Sequence, residues 1–287
     1  MKIFTIGGSG LVGSRIVELL KDKYIFDDLS LKTGIDITNP ASLDLIIKDI
    51  EHKIVILLAA KADVDKCEED REMGIGGEAY KINVEGVQNV VDACKISNKK
   101  IIYISTDFVF DGTTPGASGY TEASIPHPIS WYGMTKFKGE EVIKNSGLDF
   151  VIARIAYPYR REFEAKLDFV RAIKKRLEYN EQILGITDHL FSPTFIDDIA
   201  NGLDKLIEKN QTGIFHVTGS QSLTPYEASM LIAEKFGFDK NLITKTTRAE
   251  YFVGKAPRPF NVSMNNDKIK QLGVKMRTFE EGLEAIK

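Results

Sequence analysis

The chain has 287 residues, of which 43% are hydrophobic and 28% are charged, and its formal net charge is −3. These proportions are typical of a folded globular protein and exclude a disordered chain. A chain so close to neutral has no overall attraction to nucleic acid or to an anionic membrane, so we expect neither as a partner.

The first residues give no sign of export or membrane insertion. No charged start leads into a long apolar run, and no apolar stretch approaches the roughly 20 residues of a membrane-spanning helix. The two cysteines, Cys67 and Cys94, are too few for a disulfide framework and fit a reducing compartment. We therefore expect a cytoplasmic protein. The four scattered histidines predict no metal site.

Short apolar runs alternate with helical patterns along the first half of the chain. The predicted strands are residues 2–6, 24–26, 54–58, 101–105 and 150–155, and the predicted helices are residues 11–21, 40–50, 83–94 and 130–145. The strands are apolar throughout, which is typical of a parallel sheet covered by helices on both faces. The pattern predicts an α/β fold with a Rossmann-type, doubly wound parallel sheet over residues 1–155.

The pattern weakens after residue 155. It predicts helices at residues 162–179, 225–236 and 278–286 and a strand at residues 214–217. We expect residues 156–287 to form mainly a smaller C-terminal α/β domain that binds the substrate. A segment near residues 191–217 is expected to return to the Rossmann domain.

A glycine motif lies between the first predicted strand and the first predicted helix. Gly7, Gly10 and Gly13 follow the spacing G-x-x-G-x-x-G, which permits a tight turn and a close approach of the backbone to a pyrophosphate. The helix that follows points its N-terminal amides at the phosphates. The pattern predicts a nicotinamide-dinucleotide site at Gly7, Ser9, Gly10, Leu11, Val12 and Gly13. The alternative is a glycine-rich turn without a ligand.

An acidic residue near the end of the second strand is expected to bind the adenosine ribose. Asp28 has this position and favours NAD, because its carboxylate repels a 2′-phosphate, whereas the nearby Lys32 favours NADP. Both cofactors therefore stay open. Further residues expected at the cofactor cleft are Asp36 and Ile37, beside the adenine, and Ala59, Ala60 and Lys61, after the third strand.

Tyr132 and Lys136 are four residues apart on a predicted helix and therefore share one face. A lysine ammonium near a phenol is expected to lower the tyrosine pKa, which makes Tyr132 a candidate general acid or base. Lys136 is also expected to bind the nicotinamide ribose. Thr106 follows the fourth strand, where its hydroxyl would meet a substrate oxygen. The alternative is a Tyr and a Lys on a solvated helix.

Several segments together resemble the dTDP-4-dehydrorhamnose reductases, which are extended short-chain dehydrogenases of the nucleotide-sugar branch. Residues 105–112 read STDFVFDG and are similar to the family's STDYVFDG, and residues 132–140 are similar to its YGxTKxxGE. Residues 64–68, 192–200 and 258–261 resemble the family's VDKAE, GSPTYxxDLA and RPxNS. The matches cover nearly the whole chain.

The resemblance implies reduction of the C4 ketone of a nucleotide-linked 6-deoxy-4-keto-hexose, with NADPH or NADH as hydride donor. Tyr132 would protonate the C4 oxygen, Lys136 would bind the ribose, and Thr106 would orient the carbonyl. The implied substrate-binding residues are Thr106, Asp107, Phe108, Tyr132, Tyr157 and Arg258. Relatives commonly form homodimers through the helices that carry the catalytic tyrosine.

The chain departs from the family near the expected sugar. Tyr157 stands where the family commonly has Trp, and the family's DQxGSPT appears with His189 and Phe191 at its second and fourth positions. Related dehydratases carry Thr-Asp-Glu, and Phe108 in place of the Glu speaks against dehydration. Epimerases use the same Thr, Tyr and Lys and stay open. The regulatory β subunit of methionine adenosyltransferase is similar over the same motifs and works by binding a partner, so a non-catalytic regulatory subunit stays open too.

Overall fold

The computed structural model describes residues 1–287. Its strands are β1 Lys2–Ile6, β2 Ile25–Leu29, β3 Ile54–Leu57, β4 Lys100–Thr106, β5 Phe150–Ile155, β6 Pro158–Tyr159, β7 Ile183–Ile186, β8 Thr194–Phe195, β9 Gly213–His216 and β10 Ile243–Thr246. Its α-helices are α1 Leu11–Leu20, α2 Asp44–Lys48, α3 Val64–Glu69, α4 Glu78–Tyr80, α5 Gly86–Ser97, α6 Trp131–Lys144, α7 Phe169–Glu178, α8 Ile196–Glu208, α9 Pro225–Phe236, α10 Arg248–Tyr251, α11 Asp267–Lys270 and α12 Phe279–Ile286. No helix combines the length and the apolar character needed to cross a membrane.

Six strands form one parallel sheet in the order β2-β1-β3-β4-β5-β9. The order reverses between β1 and β3, and ligands of such sheets bind at this point, beyond the carboxyl ends of the strands. The predicted doubly wound parallel sheet is confirmed. The last strand, β9, joins the sheet beside β5 after an excursion of the chain through α7, β7 and α8.

Hydrophobic clusters cover both faces of this sheet. One contains Ile16 of α1, Leu203 of α8 and Ile56 of β3, and the other contains Val90 of α5 and Val55 of β3. A third cluster lies mostly beyond residue 155 and joins α7, α9 and α12 to the pair β7–β10. The part of the chain beyond residue 155 therefore has a packed core of its own, beside the parallel sheet.

Some element boundaries differ from the predictions. The helix predicted from residue 162 begins only at Phe169, because the Asp168 side chain accepts a hydrogen bond from the Arg171 N–H and caps the first turn. The second strand runs to Leu29 instead of residue 26. Before α5, residues Lys81–Glu85 form a π-helical turn, a rare conformation that is common near functional sites.

A buried ion pair joins α6 to the sheet and can be tested through stability. Arg154 of β5 donates two hydrogen bonds to Glu140 of α6, at 2.8 and 2.6 Å, and the two side chains are 1% and 0% exposed. Glu140→Gln leaves a buried guanidinium without its counterion, which we expect to lower the free energy of unfolding by about 3–5 kcal/mol. Urea denaturation measures this loss. The exposed Glu164 supplies the control, since Glu164→Gln should change stability by less than about 0.5 kcal/mol. Equal losses in both variants would contradict the prediction.

Candidate active site

The glycine loop packs directly against the end of the neighbouring strand. Gly7 has φ +86°, and a Cβ at this position would lie 2.8 Å from the Ala59 nitrogen. At Gly13 a Cβ would lie 2.7 Å from the Gly7 carbonyl oxygen. No side chain caps the first turn of α1, so its amides face outward. The loop is therefore a cradle that fits a pyrophosphate, and the predicted Ser9, Leu11 and Val12 are partly exposed along it.

Asp28 lies beneath this loop. Its Oδ1 accepts hydrogen bonds from the Gly8 N–H at 2.8 Å and from the Thr5 hydroxyl at 3.3 Å. The carboxylate thus stabilises the turn that would hold the cofactor, in addition to the ribose contact predicted for it.

The other residues predicted near the adenine differ in exposure. Asp36 accepts hydrogen bonds from the backbone N–H and the hydroxyl of Thr38. The Ile37 side chain is buried and packs against Gly86 at the start of α5, and its carbonyl accepts a hydrogen bond from the Asn89 side chain at 2.8 Å.

Ala59, Ala60 and Lys61 follow β3 and are partly exposed, as residues that line a cofactor cleft should be.

The sequence interpretation missed Asn83, which holds the segment after β3 to helix α6. Asn83 is fully buried, pairs with the Lys61 backbone at 2.9 and 3.0 Å, and donates to the Thr135 hydroxyl at 3.0 Å. Only its position in a rare π-helical turn, which the sequence does not reveal, could have marked it.

Thr106 is the last residue of β4, and Asp107 follows it in a short helical turn. The Thr106 hydroxyl accepts from the Phe108 N–H at 3.2 Å and donates to Asp107 Oδ1 at 2.9 Å. Asp107 is 2% exposed, its Oδ2 has no hydrogen-bond partner, and burial raises its pKa to about 7. This turn therefore places an unpaired carboxyl oxygen beside Thr106.

Tyr132 lies at the start of α6, next to the same turn. Its ring contacts Phe108 edge-on, with 5.8 Å between ring centroids. Burial raises the pKa of Tyr132 well above its usual value, and the nearby Thr106 hydroxyl opposes the rise. The structure thus brings Tyr132, Thr106 and Asp107 together.

The expectation that Lys136 lowers the tyrosine pKa is wrong. The Lys136 ammonium donates to the Ile104 carbonyl at 2.8 Å and lies 4.0 Å from the centre of the Tyr103 ring. Burial lowers the pKa of Lys136 to about 7, so the ammonium is itself poorly stabilised. Desolvation, not the charge of Lys136, governs Tyr132 here, and it keeps the phenol protonated.

Tyr157 and Arg258 approach the site from beyond β5. The Tyr157 ring lies 6.3 Å from the Phe108 ring, and its hydroxyl is 3.2 Å from His189 Nε2. The Arg258 guanidinium donates to Asp65 at 2.9 Å and to the Ala256 carbonyl at 2.8 Å. Asp65 belongs to the VDKCE segment of α3, so this ion pair joins the C-terminal segment to the strand ends.

The close fit of the glycine loop gives a direct test of the cofactor site. Gly13→Ala forces a methyl group against the Gly7 carbonyl, and overpacking of this kind costs about 1–3 kcal/mol. We expect NADPH binding, followed by nicotinamide fluorescence, to weaken by roughly 5- to 150-fold. Gly76→Ala is the control, because Gly76 is exposed and has nothing within 4 Å of an added Cβ. Unchanged affinity in Gly13→Ala would remove the loop from the site.

The buried Asp107 carboxyl predicts a pH-dependent difference in stability. Its folded-state pKa of about 7 exceeds the ordinary 3.8, so the stability that it contributes is present below pH 3.8 and is lost as the pH rises to about 7. Relative to the native protein, Asp107→Asn should gain up to about 1.4 kcal/mol for each pH unit in this window. Urea unfolding of both proteins at pH 4 to 7 measures this difference in the free energy of unfolding. Asp22→Asn, at an exposed site, should show none, and a constant gap for Asp107→Asn would contradict the prediction.

Comparisons with known proteins agree with this geometry. The family model described as the RmlD substrate binding domain matches residues 1–287. The chain is 31% identical over 300 residues to a dTDP-4-dehydrorhamnose reductase of Aggregatibacter actinomycetemcomitans, covering 100% of this chain and 98% of the relative. It is 27% identical over 251 residues to the methionine adenosyltransferase 2 subunit beta of Xenopus laevis, covering 85% and 72%.

A solved structure extends the likeness to three dimensions. The dTDP-4-dehydrorhamnose reductase of Bacillus anthracis, crystallised in complex with NADP, superposes with a TM-score of 0.88 at 29% identity, covering 99% of this chain and 98% of that one. The resemblance predicted from the sequence motifs is thereby confirmed. The chain belongs to the RmlD substrate binding domain family, the family of the dTDP-4-dehydrorhamnose reductases.

Proposed function

We propose that this protein uses NADPH to reduce the C4 ketone of a dTDP-linked 6-deoxy-4-keto-hexose. The observation that carries the proposal is the meeting of Thr106, Asp107 and Tyr132 at one edge of a sheet whose first turn forms a dinucleotide cradle. Relatives named dTDP-4-dehydrorhamnose reductase match along nearly their whole length, one of them in complex with NADP.

The two parts of the chain divide the work in this proposal. Residues 1–155, with the returning strand Gly213–His216, hold the cofactor, and residues 156–287 mainly hold the sugar nucleotide. Arg258 would bind the diphosphate through its positive charge. The diphosphate would then replace Asp65 as a partner of the Arg258 guanidinium. The buried Asp107 Oδ2, which has no hydrogen-bond partner, would accept from a sugar hydroxyl that reaches the Thr106 turn.

The nicotinamide cofactor, when bound, supplies the hydride for the ketone carbon. Tyr132 donates its phenolic proton to the ketone oxygen, and burial ensures that this proton is present at neutral pH. Thr106 orients the carbonyl through its hydroxyl. Hydride and proton together convert the ketone to an alcohol, and the phenolate of Tyr132 then regains a proton from water. Lys136, one turn along α6 from Tyr132, would hold the nicotinamide ribose.

NADPH is preferred in this proposal, because a relative of known structure holds NADP. Lys32 lies in the turn after β2 and offers a cation for a 2′-phosphate.

The protein is further proposed to form a homodimer through α5 and α6. A groove on the outer faces of these helices is lined by Val84, Lys95 and Val142, among others, and would be covered by a second copy. Sedimentation velocity tests this, and a monomer at micromolar concentration would reject it.

A regulatory function is the second candidate, because the β subunit of methionine adenosyltransferase 2 matches 85% of the chain. One experiment distinguishes the reductase from the regulatory subunit. The reductase oxidises NADPH when the keto sugar is supplied, whereas a regulatory subunit binds the catalytic subunit on mixing and leaves NADPH unchanged.

Tyr132→Phe tests the proton donor. The variant keeps the ring against Phe108 but lacks the phenolic proton, so we expect kcat to fall by roughly 10²–10⁴-fold while NADPH binding stays near that of the native protein. The assay follows nicotinamide absorbance with the keto sugar made by an upstream dehydratase. Tyr179→Phe, at an exposed tyrosine, is the matched control and should retain full activity. Native turnover by Tyr132→Phe would reject the mechanism.

A further inference from the structure

Tyr157 has an unusual backbone at the edge of the site. It follows β5, where the chain leaves the sheet, and its φ of +39° lies in the left-handed region that residues other than glycine rarely adopt. Such conformations persist where the surroundings enforce them, often at ligand sites. The side chain is partly exposed and packs 4.3 Å from the Phe191 ring.

The position of Tyr157 links two ends of the site. Burial and the Asp107 carboxylate raise the pKa of Tyr157, and the Arg258 guanidinium opposes this rise. The Tyr157 ring and the Tyr132 ring both pack against the Phe108 ring. His189, the hydrogen-bond partner of the Tyr157 hydroxyl, also contacts the carbonyl of Pro259, next to Arg258. A sugar with its ketone at Tyr132 and its diphosphate at Arg258 would therefore pass the Tyr157 hydroxyl.

His189 fixes the hydrogen bond that this hydroxyl makes. The Nδ1 atom of His189 is 2.7 Å from the Pro259 carbonyl oxygen, which only accepts, so Nδ1 carries the hydrogen. The imidazole is 2% exposed, and burial with the nearby Arg248 and Arg258 lowers its pKa to about 4, so the ring is neutral. Nε2 is then an acceptor, and the Tyr157 hydroxyl donates to it at 3.2 Å.

The imidazole cannot easily turn to change these roles. It stacks on Phe191 with 5.7 Å between centroids and an angle of 11°. Its neighbour Leu190 exchanges backbone hydrogen bonds with Phe260 and Val262, at 2.7 and 2.8 Å. His189 thus ties Tyr157 to the segment that carries Arg258.

Because the Tyr157 hydroxyl donates its one hydrogen to His189, the Tyr157 oxygen can only accept a hydrogen bond from a ligand. We propose that His189 is a positioning residue that holds the Tyr157 hydroxyl as a hydrogen-bond acceptor for a ring hydroxyl of the sugar nucleotide. The site would then prefer a sugar that has a free 2- or 3-hydroxyl over the analogue that lacks this hydroxyl. This inference rests on the proposed reductase function and names a determinant of its substrate specificity.

The test uses the variants His189→Leu, His189→Gln and Tyr157→Phe and the double variant His189→Leu with Tyr157→Phe. We expect KM for the keto sugar to rise about 5- to 20-fold in His189→Leu and in Tyr157→Phe, with a smaller change in kcat, since one hydrogen bond is lost. The double variant should be no worse than either single variant, because both act through one hydroxyl. His189→Gln should recover most of the loss, since its amide can donate to Pro259 and accept from Tyr157.

Two further readouts distinguish positioning from a merely structural role. NADPH affinity should stay near the native value in Tyr157→Phe and in His189→Gln. The urea midpoint should stay near the native value in His189→Gln, which keeps both hydrogen bonds. Analogues that lack the 2- or the 3-hydroxyl should be poorer substrates for the native protein, and the preference over one of them should disappear in Tyr157→Phe.

Each adverse outcome has a separate meaning. Additive losses in the double variant, an unchanged KM in Tyr157→Phe, or an undiminished preference over both deoxy analogues would overturn the role of His189 while the native activity stands. Absence of turnover by the native protein would instead reject the proposed function itself.

Discussion

The active-site geometry depends on the buried ion pair between Arg154 and Glu140. Glu140 lies on the same face of α6 as Lys136 and Tyr132, at intervals of four residues, and it also accepts a hydrogen bond from Ser105 of β4 at 2.6 Å. One carboxylate therefore connects the catalytic helix to two adjacent strands. Since Thr106 follows Ser105 and Tyr157 follows the strand of Arg154, this connection sets the distances among the groups that face the substrate.

Burial shifts the pKa values of Tyr132 and Lys136, two site residues of α6, in opposite directions. It raises the pKa of Tyr132 and lowers that of Lys136, and in both cases it favours the neutral form. A neutral phenol is the form a proton donor needs before hydride transfer. The same desolvation keeps His189 neutral, so Tyr132 and His189 act by hydrogen bonding and not by charge.

Local patterns predicted most of the fold and the identity of the central site residues. Apolar runs located the six strands of the parallel sheet but missed the four short strands outside it. The motifs indicated the candidate residues Gly7, Gly13, Thr106, Tyr132 and Lys136, because each motif depends on spacing within a few residues. The partners of Lys136, Asp28 and Arg258 could not be predicted in this way. The lysine meets a carbonyl of β4, the aspartate meets the glycine loop, and the arginine meets α3, and each partner comes from a distant part of the chain. Asn83 was missed for the same reason, since its significance lies in joining Lys61 to Thr135.

The late return of β9 affects how the chain can fold during synthesis. Until Gly213–His216 has left the ribosome, β5 has no neighbour on its outer side and is an open edge of the sheet. At roughly 5–20 residues per second, that edge would be exposed for on the order of 3–12 s. An unpaired apolar edge readily pairs with another chain, so the nascent N-terminal half is most prone to aggregate in this interval. By the same reasoning, cutting the gene after residue 155 would yield a fragment with a permanently open edge, although all its cofactor motifs are intact.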